Sequence, residues 1–115
     1  MRPVMAVLGV GIALSLTIGT RAAAAQAADG AALYRQHCRT CHGATGTPTQ
    51  RMVGLYPKLK TLSDSALMAG LSIDSIVNVV RKGRGDMKAL ADKLTADQMT
   101  AVANYVKTLP SAHKP

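Results

Sequence analysis

Residues 38–42 read Cys38-Arg39-Thr40-Cys41-His42, and the reading of this pentapeptide decides what the rest of the chain must build. Two cysteines three residues apart on a helical turn face the same side, with a histidine adjoining them. Three chemistries use such a set. The thiols can close a disulfide or work as a thioredoxin-like redox pair; with His37 and His42 they can bind zinc; or each sulfur can add to one vinyl group of a haem while His42 binds the iron. The chain lacks the strand and helix alternation of a thioredoxin-like fold, and four zinc ligands within six residues would struggle to surround a tetrahedral ion. Covalent haem is the reading carried forward: haem c, one per chain, with iron held by His42.

Upstream of the motif, Met1 and Arg2 precede an almost wholly apolar run from Val4 to Gly19, and Arg21 leads into an alanine-rich stretch ending Ala25-Gln26-Ala27. Charge, apolar stretch and small residues in that order predict a secretory signal over residues 1–27, cut after Ala27, and a single domain over residues 28–115. A retained anchor is the alternative, since the run approaches the length of a spanning helix. Its glycines and the small-x-small cut site favour cleavage, so no membrane span is expected in the mature form. The expected location is the periplasm.

Of 115 residues, the 88 left after such a cut are few for an ordinary hydrophobic core, and domains of this size usually need a staple. The shortage is sharpened by composition: there is no Phe and no Trp, only Tyr34, Tyr56 and Tyr105. A bound haem would supply the missing bulk. The formal charge is +8, and without Arg2 and Arg21 it is +6, from 12 basic and 6 acidic residues. A basic surface favours redox partner proteins with acidic docking surfaces. Nucleic acid, the generic rival, finds no recognition motif and few stacking aromatics.

Four stretches have helical character and none alternates like a strand, so the fold class expected is all-α. The first starts at Asp29, a good N-cap, and runs through Leu33 and Tyr34 into the cysteines, with Gly43 as its end. A short one lies between Ser63 and Gly70. The third starts at Ser72, puts Ile73, Ile76, Val77 and Val80 on one face and stops at Gly83. The last opens with a Thr95/Gln98 capping box, repeats Met99, Val102, Ala103 and Val106 on one face, and is expected to end at Pro110.

With His42 on one face of the iron, the opposite face decides between electron transfer and ligand chemistry, and a methionine sulfur there closes the site. Met52, Met68, Met87 and Met99 are the candidates. Met99 and Met68 sit in apolar helical patterns that suit the core, and Met52 lacks a glycine-hinged loop. Met87 lies in Gly83-Arg84-Gly85-Asp86-Met87-Lys88, where two glycines allow the chain to return toward the core. His37 shares a helix with His42 and so suits the opposite face poorly; His113 belongs to the terminal tail.

In these features the sequence resembles the class I cytochrome c family. The likeness spans residues 29–109 and rests on Gly30-Ala31-Ala32-Leu33-Tyr34, Cys38-Arg39-Thr40-Cys41-His42-Gly43, Tyr56-Pro57-Lys58-Leu59, Met87 and Ala103-Asn104-Tyr105-Val106. The stretch from Met87 to Thr95 looks most like the bacterial periplasmic cytochromes of the c4 and c553 kind. The resemblance implies the class I fold, three to four short helices around one covalently bound haem, with Gly30 and Tyr34 packed against Tyr105. It also implies that Met87 is the second iron ligand and that the Pro57 carbonyl accepts the His42 ring N–H. Lys88 follows Met87 where many members have proline, and Tyr34 stands where Phe is frequent.

The expected function is single-electron transfer by Fe(III)/Fe(II) cycling between periplasmic redox partners, by a carrier rather than an enzyme, with Lys58, Lys60, Arg81, Lys82, Arg84 and Lys88 as a docking rim. The alternatives are a haem subunit of a larger oxidoreductase complex and a haem peroxidase or gas-binding protein with an open iron site. A monomer or a subunit of a redox complex fits the first two.

Overall fold

Asp29 accepts the Ala32 amide on its carboxylate at 2.9 Å and so starts helix α1, Gly30–His37. The computed structural model describes residues 29–112 together with Gly9 and Gly11; the rest of the expected signal segment 1–27, and His113, lie outside the described residues. Helix α1 breaks at Cys38, whose amide still reaches Tyr34 O, and a one-turn helix α2, Arg39–His42, carries the motif to Gly43. The continuous first helix expected from the sequence is therefore two segments, because Cys38 leaves ideal helical geometry at φ −118°.

The short helix α3, Gln50–Leu55, was not foreseen. Thr49 caps it through the Met52 amide at 3.3 Å, but Met52, Val53 and Leu55 show no 3.6-residue repeat and Gly54 interrupts them. Helix α4, Ser65–Ala69, is capped by Asp64, which accepts from Ala66 and Leu67. Helix α5, Ile73–Lys82, begins at Ser72 and ends at Gly83, and buries Ile76, Val77 and Val80. Helix α6, Ala96–Ala112, starts from the expected reciprocal cap: Thr95 N–H donates to Gln98 Oε1 at 2.9 Å and Gln98 N–H to Thr95 Oγ1 at 3.2 Å.

Pro110 does not end α6, which continues two residues further. A proline lacks one amide hydrogen and crowds the carbonyl four residues earlier. In the last turn this disturbs little that follows. Among the described residues there is no named strand, only an isolated antiparallel bridge between Arg84 and Met87, so the class is all-α. The count expected, three to four helices, is exceeded by the short segments α2 and α3.

The core lies where α6 packs against α1 and α5, with α4 alongside. It comprises Tyr34, Met68, Ile76, Val77, Val80, Leu94, Met99, Val102, Ala103, Val106 and Leu109, joined by Cys38. Each large aliphatic side chain here contributes roughly 1.5–3 kcal/mol on burial. The crossing of α1 and α6 is set by Gly30, where a Cβ would stand 2.1 Å from Ala101 O. One turn on, the Tyr34 and Tyr105 rings meet at 5.3 Å between centroids, tilted by 54°. Lys107 adds a polar tie by donating from Nζ to Met68 O, at the end of α4, and to Leu71 O at 2.6 Å.

Candidate functional site

The attachment motif straddles the junction of α1 and α2, and its two thiols are both unpaired. Cys38 is buried within the core and Cys41 is half-buried one turn later. The Cys41 and His42 amides both return to Cys38 O, at 3.2 and 3.0 Å, so this single turn fixes all three side chains relative to one another. Burial pushes the Cys38 thiol up to about 11, with Cys41 adding to the shift. Reactive cysteines of redox pairs are shifted the opposite way, toward thiolate. Burial of Cys38 therefore does not favour its thiolate.

His42 is half-buried, and its Nδ1 lies 3.1 Å from Lys60 O. Burial lowers the imidazole below its ordinary range, while the Lys60 carbonyl opposes that shift. The shift favours the neutral ring, the form that binds a metal through one nitrogen while the other donates a hydrogen bond. The family resemblance implied Pro57 as the acceptor of that bond; in the structure the carbonyl beside Nδ1 is that of Lys60. The difference has a local cause: Tyr56, Pro57 and Lys58 form an exposed turn, in which Leu59 N–H donates to Tyr56 O at 2.9 Å, and the carbonyl that faces His42 comes three residues after Pro57. Lys60 carried no sequence signal, because a backbone carbonyl does this work and any residue type supplies one.

The segment that brings Lys60 to His42 is tied at its neck. Gly46 O accepts from Leu62 N–H at 2.7 Å and Ser63 N–H at 3.2 Å, and the Thr47 and Ser63 hydroxyls meet at 2.6 Å. From this neck emerge Val53, Leu55 and Tyr56, which are the exposed large hydrophobic residues of the described chain, and Arg51, Lys58 and Lys60, all exposed.

Met87 sits where α5 turns back on itself. Gly83 has φ +73°, and a Cβ there would stand 2.4 Å from Met87 O. Arg84 and Met87 exchange backbone hydrogen bonds of 2.9 and 3.0 Å, and Leu90 N–H then reaches Val80 O at 2.9 Å. Met87 is left half-buried against the core. Met68 and Met99 are 3% and 4% exposed within the core, so their sulfurs are taken up by packing. Met52 is half-buried on α3. His37 is half-buried in the last turn of α1.

The donor set fits haem c: two free thiols on one turn, an imidazole beside them with its second nitrogen engaged, and a methionine on a hinged loop. Among the described residues no three His, Cys, Asp or Glu side chains converge as a protein-only metal site. None of their helices is long and apolar enough to cross a membrane.

Comparison with known proteins agrees with the chemistry. The family model described as cytochrome c oxidase, cbb3-type, subunit III matches residues 25–106. Chloroplastic cytochrome c6 of Chlamydomonas reinhardtii is 33% identical over 109 residues, covering 90% of this chain and 69% of the relative. Cytochrome c6 of Thermosynechococcus vestitus is 33% identical over 104 residues, covering 89% and 87%. Among solved structures, the KustC0563 c-type cytochrome superposes with a TM-score of 0.64 at 33% identity, over 70% of this chain and 96% of that one.

Proposed function

The chain belongs to the cytochrome c family, as a class I monohaem c-type cytochrome, and from that premise we propose that it is an exported one-electron carrier working between periplasmic redox proteins. Cys38 and Cys41 would hold haem c through two thioethers, and His42 and Met87 would ligate its iron. Bound haem supplies an Fe(III)/Fe(II) couple that takes up and gives back one electron. The protein's share would be to hold His42 and Met87 so that little reorganises when the charge changes. The observation that carries this reading is a single turn presenting two unpaired thiols and an imidazole whose Nδ1 faces a backbone carbonyl.

Cys38 is anchored in the core, so attachment there joins the prosthetic group to the α1–α6 crossing. Cys41, nearer the surface, tethers the other side. Lys60 O sets the tautomer and direction of His42. The Gly83 hinge returns Met87 to the core edge.

The partner expected is a protein with an acidic docking surface. Residues 30–63 contain five Lys or Arg and no Asp or Glu, so the half of the domain that bears the motif presents one sign of charge. Lys58 and Lys60 belong to this half, and Arg81, Lys82, Arg84 and Lys88 flank Met87. A weak, electrostatically guided encounter suits rapid turnover. Its test is the transfer rate against ionic strength: the rate falls as salt rises if charge steers docking, and a flat response removes the idea.

The central test is an optical and mass measurement on protein exported in cells with haem-maturation machinery. The expected product has lost residues 1–27, gained the mass of one haem, and shows a Soret band with a sulfur-to-iron charge-transfer band. The last band disappears in Met87→Ala. A chain with only its polypeptide mass and no Soret absorption refutes the reading; a high-spin ferric spectrum points instead to an open iron site. The family model's description, an oxidase subunit, favours one second reading, a haem subunit of a larger complex. Isolation under mild conditions separates the two by native mass.

A further inference from the structure

We propose that the Tyr34 hydroxyl is a positioning group for the iron-ligating His42, acting through the Gly43–Gly46 turn; the proposal rests on the haem reading above. Tyr34 has no exposed surface, and its ring contact with Tyr105 needs no oxygen. A phenylalanine would fill the same core space. Burying a hydroxyl is costly unless it is bonded, and this one donates to Gly43 O at 2.7 Å. Gly43 is the residue immediately after His42.

The turn that this bond holds is poorly secured by its own backbone. Gly46 N–H reaches Gly43 O only at 3.4 Å, so the phenol makes the shorter bond to the same carbonyl. From Gly46 the chain of contacts runs on: Gly46 O accepts from Leu62 at 2.7 Å and Ser63 at 3.2 Å, with the Thr47 and Ser63 hydroxyls paired alongside. Two residues before Leu62 stands Lys60, whose carbonyl faces His42 Nδ1 at 3.1 Å. On its near side His42 is held by helix bonds to Cys38 O and, through Gly43 N–H, to Arg39 O at 2.8 Å. Its ring direction depends on the far side, where the register of residues 60–63 follows the turn that Tyr34 clamps. A hydrogen bond from the second imidazole nitrogen makes the ligand a better donor. Strengthening that bond favours the ferric state, and loosening it raises the reduction potential.

The test is Tyr34→Phe in the haem-loaded protein. The expected result is a higher reduction potential and faster exchange of the His42 Nδ1 proton, by less than the roughly tenfold that outright loss of its bond to Lys60 O would give. Covalent haem and the sulfur-to-iron band stay as in the parent protein. Tyr105→Phe, on the same ring pair but with no bond to Gly43, leaves both readouts unchanged. Thr47→Val breaks the relay at its far end and moves both in the same direction by less, which keeps the idea testable should Tyr34→Phe fold poorly. A Tyr34→Phe protein with a lower melting temperature but unaltered potential and proton exchange overturns the proposal and leaves Tyr34 a packing residue. If the parent protein carries no haem, the functional reading itself fails and this inference falls with it.

Discussion

Helices α1, α5 and α6 and the segment between Gly43 and Asp64 hold themselves together by opposite means. The three helices meet through buried side chains, with Tyr34, Val102, Ala103 and Leu109 wholly enclosed. The segment encloses only Gly46 and Pro48 and keeps Val53, Leu55 and Tyr56 at 40%, 60% and 36% exposure. It is fastened by polar bonds at its neck, by His42 against Lys60, and by one apolar contact, Leu62 half-buried against the core. One region is stabilised by what it removes from water; the other is a rigid mount, its shape set by a few bonds around the motif. The contrast teaches that scaffold and site in this small domain are separable in mechanism although they share α1.

The sharpest way to break the contrast is at the helix crossing. Gly30→Val would place a Cβ 2.1 Å from Ala101 O, a backbone atom at the heart of the packed pair. The helices must part, and a loss of about 4 kcal/mol or more is expected, at the extreme end for point substitutions. Denaturant unfolding of the haem-loaded protein measures it. A near-neutral result would mean that the crossing is not what holds the scaffold.

A smaller effect belongs to the mount and is read through pH. Burial lowers the His42 imidazole, so the folded protein takes up this proton less readily than the unfolded chain. Stability is then fully present above the ordinary histidine value of ~6.5 and declines as pH falls through it. Denaturant midpoints of the haem-free chain between pH ~7.5 and ~5 should fall with acidity, whereas an iron-bound imidazole does not titrate in this window. A midpoint independent of pH across that window would contradict a His42 kept neutral by its surroundings.

The same division governs what could be read from sequence. Helices α5 and α6 were legible because buried positions recur every three to four residues and their starts carry side-chain caps, Ser72 and the Thr95/Gln98 pair. Gly30, Tyr34 and Tyr105 were placed by resemblance to a family, and the structure brings them into contact. The mount was less legible. Helix α3 has no periodic face to bury, and the neck consists of backbone carbonyls and small hydroxyls whose partners lie 16 residues away. Lys60 displaced Pro57 as the partner of His42 for the same reason: a carbonyl's direction depends on the turn that carries it, and side-chain identity says little about it. Tyr34 was read as a ring, and its oxygen became meaningful only once Gly43 was seen at hydrogen-bond distance.

The smallest effect on the fold should come from the exposed apolar residues of the mount, and its smallness is informative. Leu55 is 60% exposed at the end of α3, so Leu55→Ser removes little surface that folding had buried. Stability should stay within about 0.5 kcal/mol of the parent protein, as for ordinary surface positions. Exposed leucines are common, and one alone needs no explanation. Here it stands with Val53 and Tyr56 in a stretch that also carries Arg51, Lys58 and Lys60 and no acidic residue, an apolar centre with a basic margin. If that surface meets the redox partner, Leu55→Ser slows transfer at every ionic strength while the salt dependence, set by the charges, keeps its slope. A destabilisation above about 1 kcal/mol would instead assign Leu55 to the interior of the haem-loaded domain, and the division between scaffold and mount would have to be redrawn at α3.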